Sequence, residues 1–348
     1  MTKKLLATSA LFSTLALAGT SFAQTTITGS LDLVLRSQSH EASAGAKSET
    51  TIGRESQVNF ANKGKLNNGL DYAAGFSLEF DGSQAAGTAD NSISNEGVYI
   101  NLISGGTTFH VGVDWMQNAK GDNFTAVGDI VDEVGSDVIA GTALRNVGSS
   151  PKESIGAGIL QNFGNGITAS ALYVPNLSNT GHGNDGGTAT STTGTNSAYE
   201  IGIKGVNVAN SGFGFEAWRN DQQSDTPSSA TVRDLEGTAY GINYTKAPFS
   251  VGVSKLKTET QVVGVDVKSK LGHVSYAISP NLTASLVYAE TDDTTASKNA
   301  DEKIKSLMVG YNFGPVGLLV TAAKTENVGA ISTGGDVDSI GIKLNTRF

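Results

Sequence analysis

Five carboxylates gather near the middle of the chain: Asp122, Asp129, Asp132, Glu133 and Asp137. Acids held beside a low-dielectric gap repel anions and draw cations, so this cluster promises electrostatic sorting and no bond-making step. Six scattered cations supply the opposite sign: Arg36, Arg54, Lys63, Lys204, Lys343 and Arg347. Facing the acids across water, they would set up a transverse field that screens solutes by charge and dipole. Two further acids, Asp336 and Asp338 beside Gly334 and Gly335, have the oxygen ligands that Ca²⁺ takes, although a solvated loop is the simpler account. No other cofactor is indicated.

Groups for catalysis are missing from the sequence. The four histidines, His40, His110, His182 and His273, show no metal-ligand spacing. Neither G-x-S-x-G nor H-E-x-x-H occurs, and no phosphate-binding or dinucleotide fingerprint follows a strand pattern. A membrane-embedded enzyme would need a convergent Ser–His or Asp–His pair, and none is legible. Cysteine is absent, which excludes disulfides and thiolate chemistry. A net charge of −9 makes nucleic acid a poor partner.

The elements that must position these groups begin with an export signal. Lys3 and Lys4 precede an apolar run from Leu5 to Ala18 and a small-residue Ser21-Phe22-Ala23 site. That order predicts a secretory signal over 1–23, cut after Ala23, and one domain over 24–348. The apolar run is shorter than the roughly 20 residues a bilayer core requires. Glycine reaches 43 residues and hydrophobic residues only 38%, too polar for a helical membrane protein. A barrel in lipid has this composition, because one face of each strand meets hydrocarbon and the other water.

Period-2 alternation recurs along the whole remaining chain. Tyr72, Ala74, Phe76, Leu78 and Phe80 share one parity, as do Ile340, Ile342, Leu344 and Phe348. Strands are expected near 26–37, 57–66, 70–81, 95–103, 107–115, 154–163, 167–174, 198–208, 213–220, 237–246, 249–258, 268–278, 282–290, 304–313, 316–325 and 337–348. Short turns such as Asn67-Asn68-Gly69 and Ser104-Gly105-Gly106 alternate strictly with long polar loops. This order predicts an all-β, antiparallel, up-and-down transmembrane barrel of about 16 strands, with short periplasmic turns and long extracellular loops. Aromatics at strand ends, among them Tyr173, Phe213, Tyr244, Phe249, Tyr276 and Phe313, are candidates for interfacial girdles, with Trp115 beside them. Trp218 has the opposite parity to Phe213 and Phe215.

The opening TTITGSLDLVL, the Leu66-Asn67-Asn68-Gly69-Leu70-Asp71-Tyr72 turn and the SNEGVYINLISGGTTFHVGVDW hairpin resemble the sixteen-stranded porins of α-proteobacteria, the Rhodobacter type. The terminal GIKLNTRF resembles that family's last strand, closed by Phe348 as the signal read by the barrel-assembly machinery. The resemblance implies a homotrimer in the cell outer membrane, in contact with its lipid and lipopolysaccharide. It also implies a third loop, roughly Met116 to Pro151, folded into the lumen, with the five central carboxylates at the constriction. Arg54 matches the family's second-strand arginine cluster. Asp32 stands where the family places a wall arginine on the first strand, a departure from the pattern. The function implied is passive diffusion of ions and small polar solutes with a weak cation preference. A substrate-specific channel, or a structural or adhesive barrel without transport, are the alternatives.

Overall fold

The computed structural model describes residues 23–41, 48–81, 94–112, 155–175, 197–223, 235–260, 265–294, 299–328, 330, 332 and 335–348. The export signal, Trp115 and all five central carboxylates lie outside the described residues.

Sixteen strands follow in chain order. They are β1 Gln24–Glu41, β2 Glu49–Lys65, β3 Asp71–Asp81, β4 Ser94–Ser104, β5 Thr107–Gly112, β6 Gly156–Gly164, β7 Ile167–Val174 and β8 Ala198–Gly205. The second half comprises β9 Phe213–Gln222, β10 Leu235–Lys246, β11 Phe249–Thr260, β12 Val265–Ser279, β13 Leu282–Asp293, β14 Glu302–Asn312, β15 Val316–Glu326 and β16 Asp336–Arg347. Every strand pairs antiparallel with its chain neighbours, and β16 pairs back onto β1, so the sheet closes. Closure leaves no strand edge in the membrane, the condition for a sheet to cross lipid. The expected order and number of strands therefore stand.

The seam shows how the ends are tied. Ser30 lies opposite Arg347, and the pairing runs unbroken to Glu41 opposite Asp336. Beyond it Gly29 and Phe348 exchange both backbone hydrogen bonds, at 2.7 and 2.9 Å. A Cβ on Gly29 would sit 2.5 Å from the Phe348 ring, so that glycine is the space in which the terminal aromatic lies. Short turns sit at one rim with positive φ at Gly69, Gly105, Asn165 and Gly314, where glycine and asparagine are tolerated. The β8–β9 connection adds a short 3-10 turn, Val208–Asn210.

Several strands extend past the alternating segments at their loop ends. The largest difference is β2, which begins at Glu49, whereas alternation predicts 57. Above the bilayer both faces of a strand meet water, so nothing selects apolar residues on either parity. The strand continues by hydrogen bonding alone.

Candidate functional site: the lumen wall

Directly opposed residues on paired strands point to the same side of the sheet, so the register sorts every side chain as inward or outward. Leu31, Leu33 and Leu35 are 37–43% exposed on the closed barrel's outer face, as are Ile340, Ile342 and Leu344 across the seam. Asp32, Val34, Arg36, Lys343 and Arg347 fall on the other parity and face in. Phe60 and Phe76 stack at 4.8 Å on the outside. Phe249 and Tyr276, at 4.9 Å, and Tyr311 and Phe313, at 4.5 Å, mark the turn-side girdle. Trp218 is inward and buried, as its parity requires.

Arg36, Lys343 and Arg347 are brought together on β1 and β16. Lys343 is only 4% exposed and meets Asp32 at 3.0 Å across the seam. The acid that departs from the family pattern is therefore the partner of a wall lysine. Arg36 pairs with Glu49 at 3.2 Å near the loop rim. Lys63 is inward on β2, opposite Gln24 and Ala73, close to the turns. Lys204 stands on β8, eight strands from β16 and hence on the far wall, directly opposite Glu216.

Arg54 is a correction. It lies opposite Leu33, on the outward parity shared by Ile52 and Val58, so it does not line the lumen. The parity of Val58 and Phe60 already carried that information in the sequence.

Glycine gives the inner wall its smoothness. A Cβ on Gly202 would lie 1.5 Å from the Trp218 ring, and one on Gly75 3.0 Å from the Tyr99 ring. His273 lies over Gly252 and Asn220 over Gly237 in the same way. Each bulky inward side chain thus lies flat along the sheet in the gap a neighbouring glycine leaves. His110 faces in, buried, with its Nδ1 2.7 Å from Asn101 Oδ1.

From β11 to β15 the inward surface is hydroxylic and apolar. Ser250, Ser254, Ser269, Ser275, Ser285 and Thr321 alternate with the outer face, and Ser269–Thr291 and Ser275–Ser285 hydrogen-bond across strands at 2.5 and 2.7 Å. Among them Leu271, Val287, Ile304 and Met308 form a buried inward cluster. Here the charges face outward instead. Lys255 and Lys257 on β11, Lys268 and Lys270 on β12, Lys303 and Lys305 on β14 and Lys324 on β15 share parity with the lipid-facing residues. The sequence signal that finds them is the repeated Lys-x-Lys, in phase with Val251 and Val253 and with Leu307 and Val309.

Asp336 hydrogen-bonds Asn327 N–H and pairs with Lys324 at 3.1 Å. Among the described residues, no group of three or more His, Asp or Glu is placed to hold a metal ion.

A closed, sixteen-stranded antiparallel barrel with an apolar outer belt between aromatic girdles defines an outer-membrane β-barrel. The Gram-negative porin family profile matches residues 7–330, and the chain belongs to that family. Among solved structures it is similar to OmpF of Salmonella typhi in complex with daunomycin (TM-score 0.64, 12% identity, 93% of this chain and 98% of that one). It is also similar to a loop-deletion mutant of OmpT from Vibrio cholerae (TM-score 0.63, 13% identity, 94% and 99% covered). A triple mutant of Rh. blastica porin gives a TM-score of 0.59 at 15% identity, with 93% and 100% covered. No curated protein sequence matches. At these identities the likeness is one of fold.

Proposed function

We propose that this outer-membrane porin is a general diffusion channel, exported with its signal removed after Ala23, that passes ions and small hydrophilic solutes with a weak cation preference. Mechanism is steric exclusion plus the field of the wall, with no chemical step. The observation that carries this reading is the register. It turns the seam's charged residues inward in a ring too wide for them to fill. Sixteen strands about 4.8 Å apart, tilted about 40°, close a ring roughly 32 Å across at the backbone, leaving about 20 Å between opposing side chains.

The sign of selectivity follows from the inward charges on the described strands. Carboxylates there are Asp32, Glu49, Glu55, Asp71, Glu79, Glu200, Glu216, Asp293 and Glu302, nine in all. Cations are Arg36, Lys63, Lys65, Lys204, Lys343 and Arg347, six in all, so acids exceed bases by three. Asp122, Asp129, Asp132, Glu133 and Asp137 would add to that excess if their loop enters the lumen.

The working unit in this reading is a homotrimer. Its support is the outer face of β2, where Thr50, Arg54, Ser56 and Asn62 occupy the parity that elsewhere meets lipid. An arginine costs about 2–4 kcal/mol at the bilayer midplane and less near the interface, so cover by a second copy suits this face. Phe348 is the assembly signal of the last strand. Single-channel recording in planar bilayers under a KCl gradient tests the proposal. Discrete open steps with a cation-favouring reversal potential are expected. Absence of steps overturns the channel, and an anion-favouring potential overturns the charge assignment.

A further inference from the structure

The outer face of β11–β14 carries an arrangement that a diffusion channel does not need. Lys255 lies directly opposite Lys270, and Lys257 directly opposite Lys268. Like charges opposed across a strand pair repel, so such a quartet asks for an anion. The carboxylates nearby satisfy it unevenly. Asp266 is shared by Lys257 and Lys268 at 3.8 and 3.6 Å, and Lys257 also bonds Glu259. Lys270 reaches Glu290 only at 4.0 Å, and Lys255 has no carboxylate within ion-pair distance among the described residues. The least neutralised cations are thus the two nearest the apolar belt.

Directly below them is a notch. Gly272 forms its floor, with Val253, Leu286, Leu307 and Tyr288 around it and Lys305 at its loop-side lip. A Cβ on Gly272 would find only Val253 Cγ1 at 3.8 Å and the Gly252 carbonyl at 3.9 Å, so the space is open. Moving toward the loops on β11, outward residues run Val253, Lys255, Lys257, Glu259. On β12 they run Val274, Gly272, Lys270, Lys268, Asp266. Apolar groove, cation tier and carboxylate tier are stacked in that order, which is the order of acyl chain, phosphate and sugar in an outer-leaflet glycolipid.

We propose that the Lys255–Lys257–Lys268–Lys270 quartet and the Gly272 notch form one binding site for a phosphorylated, acylated glycolipid of the outer leaflet. An acyl chain occupies the notch and a phosphate bridges Lys255 and Lys270. The site rests on the outer-membrane orientation proposed above, with the loops outside. It is independent of conduction.

Binding of diphosphoryl lipid A, and of its monophosphoryl form, to the refolded barrel in neutral detergent tests the site by native mass spectrometry. The Lys255→Gln/Lys270→Gln double variant should bind diphosphoryl lipid A about thirtyfold more weakly, at about 1 kcal/mol per lysine. Gly272→Leu, which fills the notch without a clash, should weaken both lipids alike. Lys246→Gln, an outward lysine at the turn-side rim opposite Phe249, should change neither. Channel conductance of each variant reports folding separately, so loss of lipid with normal conductance touches only this proposal. Undiminished binding by the double variant overturns it, as does an equal loss from Lys246→Gln. Equal affinity of wild type for the two lipids also overturns it.

Discussion

The seam formed by β16, β1 and β2 and the far sector formed by β11–β14 are the same antiparallel sheet wearing charge on opposite sides. At the seam, Asp32, Arg36, Lys343 and Arg347 face in while leucines and isoleucines face out. In the far sector serines face in, and lysines continue the outward parity above Val253 and Leu307. The difference separates two uses of charge in a membrane barrel. Inward charge sets the field a solute crosses, whereas outward charge marks the height at which hydrocarbon ends.

If the two sides are as different as this, single substitutions should separate them. The largest effect is expected at the seam from Asp32→Asn, which strips the buried Lys343 of a partner. Losing one member of a buried pair costs about 3–5 kcal/mol. Urea titration of the barrel in vesicles should show that loss, and Asp32→Asn/Lys343→Met should recover most of it. Next, Leu344→Lys on the lipid face should cost about 2–4 kcal/mol, whereas the adjacent inward Asn345→Lys should stay within about 0.5 kcal/mol. Equal costs would erase the distinction between the faces. Gly202→Val should follow, at about 1–3 kcal/mol of overpacking. It must also push the Trp218 ring off the wall, so conductance should fall together with stability. Smallest is Lys305→Gln in the far sector. Its partner Glu326 is 2.8 Å away, but the lysine is 59% exposed, and such pairs contribute about 0.2–1 kcal/mol.

The membrane-crossing part of each strand was legible in the sequence, because lipid outside and water inside impose period 2 on residues such as Tyr72 to Phe80. The loop-side extensions were not, since above the bilayer no solvent contrast remains to print a pattern, and β2 from Glu49 is the clearest case. Of the wall cations, Arg36, Lys343 and Arg347 could be placed by parity with Leu35, Ile342 and Phe348. Arg54 was drawn inward by family resemblance, against the parity of Val58 and Phe60. The outward lysine tier was equally readable, since each Lys-x-Lys is in phase with the apolar residues beside it. The Asp32–Lys343 pair was out of reach, because only closure of the barrel brings residues so distant in the chain to 3.0 Å.

Side-chain alternation at the seam is open to direct test because the chain has no native cysteine. Arg36→Cys and Leu35→Cys are neighbours in sequence and opposite in direction. A charged, membrane-impermeant methanethiosulfonate added to open channels should step the current through Arg36→Cys and leave Leu35→Cys unchanged. A step at position 35, or silence at position 36, would contradict the account.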